Sequence, residues 1–226
     1  MKRTSVVAHR GASAHEPENT LRSIRTALNS AVEFVEVDAR ESSDGYVVLI
    51  HDETVDRTTD GRGCVKEMTL KELKGLDAGL GERIPTLQEA IDEVRGRANL
   101  VVEVKEPIVV EEVVRIFEEN RVEGDFVASS FYHRAVERVK MLNPKIRTGV
   151  IFSSQPIKPK DLALEAEAEI LLPRWVYVDS SMVGEAHEEG LLVFPWTVDD
   201  LETMRRLAKM GVDGIVTNRP DVATNM

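Results

Sequence analysis

Residues 34–38 read Phe-Val-Glu-Val-Asp, and the fold can be reasoned outward from this stretch. Side chains on a β-strand alternate between its two faces, so Glu36 and Asp38 project to one face while the valines project to the other. Carboxylates on an otherwise buried strand cost free energy unless a cation or a hydrogen-bond donor accompanies them. The stretch therefore predicts an interior strand that carries a functional group.

The same arrangement returns in the run LVVEVK, where Glu103 and Lys105 alternate with valines. Two other short apolar runs, SVVA and YVVLI, end directly at His9 and His51. Three carboxylates and two histidines on or at the ends of strands predict a metal site that has its own acid and base.

Short apolar runs alternate with amphipathic stretches along the whole chain. The predicted barrel strands are Ser5–Ala8, Phe34–Asp38, Leu100–Val104, Phe126–Ser129, Arg147–Ile151, Ile170–Leu172, Leu192–Phe194 and Gly214–Thr217. The predicted helices are Thr20–Ser30, Ile108–Asn120, His133–Met141, Pro159–Ala166, Ser181–Glu188 and Asp199–Met210. This alternation indicates the α/β class and a closed (β/α)8 TIM barrel.

The interval between the second and third predicted strands is too long for one helix. It contains the extra strand-like run YVVLI, and its Ser-Asp-Gly turn at residues 43–45 suits a hairpin back to the second strand. The sequences TLKE at 69–72 and TLQE at 86–89 have the form of helix capping boxes. We expect residues 44–84, approximately, to form an insertion over the C-terminal mouth of the barrel, where barrel active sites lie.

Size and composition limit the remaining possibilities. The 226-residue chain suits one domain, which we take to span residues 1–226. A net charge of −11 disfavours nucleic-acid partners and charge-driven docking on anionic membranes. No apolar stretch approaches the ~20 residues of a bilayer span, and the first run is too short for a signal peptide, so we expect a cytoplasmic protein. The single cysteine, Cys64, excludes an internal disulfide and a Cys-rich metal site, and the oligomeric state stays open.

The carboxyl ends of barrel strands converge on one mouth. His9, Glu36, Asp38 and Glu103 lie at or near the ends of the first three predicted strands, which are neighbouring staves. We therefore expect these groups to meet within metal-coordinating distance. Oxygen ligands without cysteine suit a hard cation, which means Mg²⁺, Ca²⁺ or Mn²⁺.

An ordered set of motifs resembles the glycerophosphodiester phosphodiesterases over nearly the whole chain. The motifs are His9-Arg10-Gly11, Pro17-Glu18-Asn19-Thr20, Glu36-x-Asp38, Asp44-Gly45, His51-Asp52, Glu103-x-Lys105 and the segment from Gly211 to Pro220. His-Arg-Gly alone would be a weak signal, whereas the ordered set with this spacing is specific. The resemblance implies a TIM barrel with a subdomain inserted after the second strand. It also implies metal-dependent hydrolysis of glycerophosphodiesters to glycerol phosphate and an alcohol.

The resemblance further implies a role for each site residue. One divalent metal ion, Mg²⁺ or Ca²⁺ with Mn²⁺ as a third candidate, would be bound by Glu36, Asp38 and Glu103. The general acid and base would be His9 and His51, the phosphate would be contacted by Arg10 and Lys105, and the glycerol or alcohol part by Trp196. It leaves open which histidine is the acid, and whether water or the substrate's own glycerol 2-hydroxyl is the nucleophile.

Several of these residues also have a structural interpretation. Glu36 and Asp38 could form salt bridges with Arg40 or Lys105 without any metal. Asn19 could simply cap the helix that starts after it.

Other residues allow more than one interpretation. Asp52 could orient His51 or begin a loop. Trp175 and Trp196 could each line the mouth against the organic part of the substrate or pack against neighbouring loops, and the resemblance favours Trp196 for the first role. Residues 218–221 predict a closing turn. The other histidines read as surface residues: His15, His133 and His187.

Two alternative functions remain open at this point. A phospholipase of the phosphatidylinositol or sphingomyelin type could use the same barrel, but it would need an apolar or basic rim, and the sequence contains no such run. A non-catalytic binding barrel should lack at least one histidine or carboxylate of the site, and all are present. In each case the partner would be a small phosphodiester or its lipid counterpart, without stable membrane insertion.

Overall fold

Eight parallel strands close the predicted TIM barrel, and a ninth strand lies outside it. The computed structural model describes residues 3–122, 124, 126–224 and 226. Within those residues the strands are β1 (Ser5–His9), β2 (Phe34–Glu41), β3 (Val47–Leu49), β4 (Asn99–Val104), β5 (Phe126–Ser130), β6 (Arg147–Phe152), β7 (Ile170–Pro173), β8 (Leu192–Val193) and β9 (Gly214–Thr217). All of the eight predicted barrel strands are confirmed, with ends that differ by at most three residues.

Pairing runs from β8 through β7, β6, β5, β4, β2 and β1 to β9. Backbone hydrogen bonds complete the ring between β8 and β9: for example, Asp213 N donates to Val193 O at 3.0 Å, and Val216 N donates to Pro195 O at 2.9 Å. The first and the last strand of the chain therefore lie side by side, because β1 pairs with β9 on one side and with β2 on the other.

Helices follow most strands and surround the barrel. Over the described residues they are α1 (Leu21–Leu28), α2 (Leu70–Gly75), α3 (Leu87–Val94), α4 (Val110–Asn120), α5 (His133–Leu142), α6 (Pro159–Glu165), α7 (Ser180–Glu188), α8 (Leu201–Met210) and α9 (Pro220–Ala223). The predicted helix at 108–120 begins as a short 3-10 turn, Pro107–Val109, with proline at its first position, where no N–H donor is needed. None of the described helices is both long enough and apolar enough to cross a bilayer.

Strand alternation divides the core into two layers. The barrel interior is filled by side chains from seven of the eight staves and by Phe194, just after β8: Val7, Phe34, Val101, Val127, Ile151, Ile170, Leu172, Phe194 and Val216. The opposite faces of the same strands, including Val35 and Val37, pack under the helices. The inward face of β2 therefore carries Phe34 at its start and Glu36 and Asp38 toward its carboxyl end, as the alternation predicts.

The segment between β2 and α3 has its own small core. Strand β3 pairs antiparallel with β2 through a tight turn in which Gly45 has a φ of +83°. A separate buried cluster lies beneath this segment: Val48, Ile50, Val55, Val65, Leu73, Ala78 and Ile84. Both predicted capping boxes are present, at Thr69 before α2 and at Thr86 before α3. That this segment is an insertion in a plain barrel stays a prediction.

Candidate active site

The turn that follows β1 brings its backbone unusually close to α1. Arg10 and Gly11 both have positive φ, +55° and +80°. A Cβ on Gly11 would lie 2.5 Å from the carbonyl carbon of Ser23, so a side chain there would collide with α1. The turn exposes the backbone N–H of Arg10, which donates to Glu36 Oε2 at 2.9 Å. The backbone of the His-Arg-Gly motif thus fixes the positions of the motif's own side chains and of a carboxylate on the neighbouring strand.

Three buried carboxylates meet at the mouth of the barrel, as predicted. Strand register pairs His9 with Glu36 and Asp38 with Glu103. One oxygen from each of the three carboxylates lies within 4.8 Å of the others. Among the described residues, Glu36 Oε1 and Asp38 Oδ1 are buried without a hydrogen-bond partner. Each of these two carboxylates therefore keeps one oxygen uncommitted and turned into a charged, buried cluster.

Two cations lie against the cluster. Arg10 Nε lies 2.9 Å from Asp38 Oδ2, and its Nη1 donates to Glu18 Oε1 at 3.0 Å. Lys105 Nζ donates to Glu103 Oε1 at 2.6 Å and lies 3.5 Å from Asp38 Oδ1. The expected salt bridge from Lys105 is present, whereas Arg40 instead pairs with Glu106 beyond the cluster.

Burial sets the charge of the cluster. Desolvation, followed by the charge of Asp38, raises the pKa of Glu36 to about 8 and that of Glu103 to about 7. Burial alone would also raise the pKa of Asp38, but Arg10 and Lys105 hold it below its ordinary value. Three carboxylates beside two cations leave the cluster one positive charge short, which favours a proton on a glutamate in the metal-free protein.

The donor set fits a hard divalent cation. It consists of carboxylate oxygens, two of them without a hydrogen-bond partner among the described groups, in a site with no sulfur ligand. Mg²⁺, Ca²⁺ and Mn²⁺ all prefer such oxygens, and a divalent charge would compensate the carboxylates without protonating them. Glu36, Asp38 and Glu103 are therefore the residues that could hold a metal ion here.

His9 is held from the last strand of the barrel. Its Nδ1 lies 2.7 Å from Asn218 Oδ1, just after β9, and its Nε2 lies 3.9 Å from Glu36 Oε2. The Asn218 amide in turn donates to Asp199 Oδ2 at 2.7 Å. Burial, followed by the charge of Arg10, lowers the pKa of His9. The ring is therefore poised as a neutral imidazole facing the carboxylates.

His51 is held differently, by charged groups. Its Nδ1 lies 2.6 Å from Asp52 Oδ1, so Asp52 orients the ring and does more than begin the loop. Arg57 donates to Asp52 Oδ2 from Nε at 2.6 Å and to Glu18 Oε2 from Nη1 at 2.9 Å. Hydrogen bonding from Arg57 is the main reason why the pKa of Asp52 is lowered. Burial lowers the pKa of His51, although the nearby Asp38 and Asp52 act in the opposite direction.

These groups surround a cavity of about 250 Å³. Its polar side is formed by His9, Arg10, Glu36, His51 and Glu103, and its floor by interior residues of the barrel such as Val7, Val101 and Leu172. Trp196 and Phe131 form one wall, where their rings meet edge to face with centroids 5.5 Å apart. Trp196 Nε1 donates to Leu172 O at 2.8 Å, which fixes the indole in that wall.

Trp175 has a different environment from Trp196. It packs against the outer core, and the guanidinium of Arg206 lies 5.7 Å from the centroid of its ring. The structural interpretation of Trp175 is therefore the correct one.

Asn19 has a role that the sequence did not reveal. Its Nδ2 donates to Asp38 Oδ2 at 2.8 Å, and its Oδ1 accepts from Asp38 N at 3.1 Å. The expectation that Asn19 caps α1 is wrong, because the next residue, Thr20, provides the cap through its own side chain. Asn19 has a φ of +56°, a conformation that asparagine adopts more readily than most residues do. The residue type was therefore the available sign in the sequence that the backbone turns at this position.

Two further polar groups at the site were missed. Asn218 belonged to a predicted closing turn, yet its side chain contacts His9. Ser129 lines the cavity beside Glu103, and its buried Oγ has no partner among the described residues. Ser129 ends a predicted strand, so only its inward register could have indicated its role.

Known proteins resemble this chain along its full length. The model of the glycerophosphoryl diester phosphodiesterase family matches residues 9–222. The chain belongs to this family. A glycerophosphodiester phosphodiesterase from Caldanaerobacter subterraneus subsp. tengcongensis is 38% identical over 237 residues, covering 99% of this chain and 98% of the relative. The predicted family resemblance is thereby confirmed.

Solved structures in the family share the fold. A glycerophosphodiester phosphodiesterase from Agrobacterium tumefaciens superposes with a TM-score of 0.89 at 29% identity, covering 99% of this chain and 100% of the other. A phosphodiesterase from Oleispira antarctica, solved with its product sn-glycerol-3-phosphate, has a TM-score of 0.89 at 30% identity and covers 98% and 95% of the two chains. Membership of the family and the barrel fold together confirm that the protein is an enzyme, a phosphoric diester hydrolase.

Proposed function

We propose that this protein hydrolyses glycerophosphodiesters to glycerol phosphate and an alcohol, with a divalent cation held by Glu36, Asp38 and Glu103. The observation that carries the proposal is the cavity onto which both His9 and His51 open together with Glu36 and Glu103. The product bound to the Oleispira antarctica relative supports glycerol phosphate as the product class.

The cation would neutralise the phosphodiester anion and stabilise the negative charge that develops on its oxygens. The donor set supports Mg²⁺, Ca²⁺ or Mn²⁺. The uncommitted oxygens of Glu36 and Asp38 are the ones that would bind it. The opposite oxygens stay in place through the Arg10 backbone and through Asn19, so the ligands are held before the cation arrives.

Arg10 and Lys105 would position the phosphate. Both already lie against the carboxylates, so an entering phosphate oxygen would meet two cations beside the metal site. Arg10 offers a planar fork of donors, whereas Lys105 offers a compact charge. Glu18 holds one end of the Arg10 guanidinium, which limits the directions in which the remaining donors can point.

The two histidines would move the protons. His9 Nε2 accepts the proton of the attacking hydroxyl, whose oxygen forms a new bond to phosphorus while the bond to the alcohol oxygen breaks. His51 Nε2 gives its proton to that leaving oxygen. We assign the acid to His51 because its partner, Asp52, is a carboxylate that opposes the lowering of the His51 pKa by burial, whereas the partner of His9 is a neutral amide. The same arrangement serves water, which gives glycerol phosphate directly, or the substrate's 2-hydroxyl, which gives a cyclic phosphate that water must open in a second step.

The wall formed by Trp196 and Phe131 would contact the organic part of the substrate. An indole fixed by its hydrogen bond to Leu172 O presents an apolar face that suits a glycerol or alcohol carbon chain. Ser129 Oγ supplies a hydroxyl to the same cavity.

The test is the identity of the product from glycerophosphocholine, followed by ³¹P NMR. With a divalent cation present, we expect glycerol phosphate and choline, at rates that fall by about 10²- to 10⁴-fold in His9→Ala and His51→Ala. His15→Ala is the matched control, because His15 is exposed and lies outside the cavity. Release of phosphocholine and glycerol would contradict the proposal, because that outcome is cleavage on the other side of the phosphorus.

A further inference from the structure

Asn218 and Asp199 form a hydrogen-bonded chain that begins at the protein surface and ends at His9. Asp199, in the loop before α8, accepts from Asn218 Nδ2 with its Oδ2 at 2.7 Å. Its other oxygen, Oδ1, accepts from the backbone N–H of Asn218 at 2.8 Å and from Thr217 Oγ at 3.1 Å. A carboxylate only accepts hydrogen bonds, so the amide nitrogen of Asn218 must face Asp199.

This constraint fixes the opposite end of the amide. With its nitrogen toward Asp199, Asn218 turns its carbonyl oxygen to His9, 2.7 Å from Nδ1. A carbonyl oxygen only accepts, so Nδ1 of His9 must carry the hydrogen. In the neutral ring the lone pair is then on Nε2, which lies on the side of the carboxylates and the cavity.

We infer that Asn218 and Asp199 are positioning residues that select the Nδ1–H tautomer of His9 and so make Nε2 the proton acceptor. The inference rests on the proposed function for its catalytic meaning, but the tautomer itself is a property of the resting protein. The role of Asn218 thus extends beyond the predicted closing turn, since the turn needs its backbone and the tautomer needs its side chain.

Ser13 is the one other described side chain in hydrogen-bonding distance of this amide. Its Oγ lies 2.7 Å from His9 O and 2.9 Å from Asn218 Oδ1. The carbonyl oxygen of His9 can only accept from this hydroxyl. Toward the Asn218 amide, however, a hydroxyl can donate to an oxygen or accept from an NH₂, so Ser13 does not determine the direction of the amide. Asp199 does, because its carboxylate has no donor.

The sharpest variant is Asp199→Asn. The new amide would keep its oxygen on the backbone N–H of Asn218 and turn its NH₂ toward the Asn218 side chain. Asn218 would then rotate to accept from it, and the Asn218 NH₂ would face His9 Nδ1. That ring nitrogen must then accept, which moves the hydrogen to Nε2. The matched control is Asp200→Asn, which removes the same charge one residue away and keeps a side-chain oxygen that caps α8.

The direct measurement is the tautomer of His9, read from the ¹⁵N shifts of its ring at pH 8, with His9→Ala used for assignment. We expect Nδ1–H in the wild type and in Asp200→Asn, and a shift toward Nε2–H in Asp199→Asn. An Nε2–H ring in the wild type, or an unchanged tautomer in Asp199→Asn, would overturn the inference. This measurement needs no turnover, so its failure is distinct from a failure of the proposed function.

Activity provides the second arm. With a divalent cation and glycerophosphocholine, we expect kcat to fall at least tenfold in Asp199→Asn and about 10²-fold or more in Asn218→Leu, with KM changed less than threefold. Asp200→Asn should keep the wild-type rate. Full kcat in Asp199→Asn alongside a changed tautomer would refute the catalytic part, and inactive wild-type protein would instead refute the proposed function. If Asn218→Leu does not fold, Asp199→Asn alone decides.

Discussion

Replacing Glu36 by glutamine should stabilise the metal-free protein at alkaline pH, although it removes a group of the site. The new amide can keep the hydrogen bond from the Arg10 backbone N–H, and the change removes a negative charge that desolvation and Asp38 make costly. If Glu36 instead served packing or a salt bridge, its replacement would destabilise the fold, and the change in the free energy of unfolding would have the opposite sign.

The magnitude follows from proton linkage. The pKa of Glu36 is raised to about 8 in the folded, metal-free protein, against an ordinary value of 4.5. Between these values the folded state binds more protons than the unfolded state. The free energy of unfolding therefore falls by about 1.4 kcal/mol for each pH unit. This contribution is fully present below about pH 4.5 and is lost as the pH rises through about 8.

The variant has no such proton to bind. Its stability relative to the wild type should therefore grow between pH 5 and pH 8 by up to roughly 4 kcal/mol, which is the slope multiplied by three pH units. For a chain of this size that difference is on the order of 10 °C in Tm.

The assay is urea unfolding followed by circular dichroism, with a chelator present, at pH 5, 6, 7 and 8. Glu53→Gln is the control, because Glu53 is exposed and is not one of the clustered carboxylates. Addition of a divalent cation at pH 8 should then stabilise the wild type and have much less effect on Glu36→Gln. A stability difference that does not change with pH, or a Glu36→Gln variant less stable than the wild type at pH 8, would refute the reasoning.

Three further predictions concern the turn after β1, a helix cap and the phosphate site. Gly11→Ala should destabilise the fold by about 3 kcal/mol or more in urea, because its Cβ would collide with Ser23. Gly45→Ala, with a similar φ but no described atom within 4 Å of the new Cβ, should cost only about 1 kcal/mol. Thr86→Ala should cost about 1 kcal/mol by the same measurement, since it removes the side-chain cap of α3. Arg10→Lys should lower kcat/KM by about 10- to 100-fold, as the loss of one charge-assisted hydrogen bond to phosphate would, and an unchanged value would contradict that role.

Residue patterns of short range were sufficient to predict the barrel. Alternation in residues 34–38 and 100–105 predicted which side chains face inward, and register then brought Asp38 beside Glu103. The two capping boxes predicted the starts of α2 and α3, because a cap depends only on residues within one helical turn.

Contacts across the ring closure could not be read from the sequence. His9 and Asn218 are 209 residues apart, and they meet only because β9 pairs with β1. Asp199 joins them from yet another loop. The role of Asn19 is predicted wrongly for a related reason. An asparagine can serve either as a helix cap or as a hydrogen-bond partner of Asp38, and only the path of the folded chain decides between these two roles.

The most direct test of the account is a titration of Mg²⁺, Mn²⁺ and Ca²⁺ into metal-stripped protein, with binding followed by calorimetry and hydrolysis of glycerophosphocholine followed in parallel. The wild type should bind one cation and gain activity at the same concentration. Asp38→Asn and Glu103→Gln should lose both, while Glu41→Gln, on the same strand β2 but outside the cluster, should keep both. Activity that persists without added cation, or that survives in Asp38→Asn, would contradict the claim that these carboxylates hold the catalytic metal.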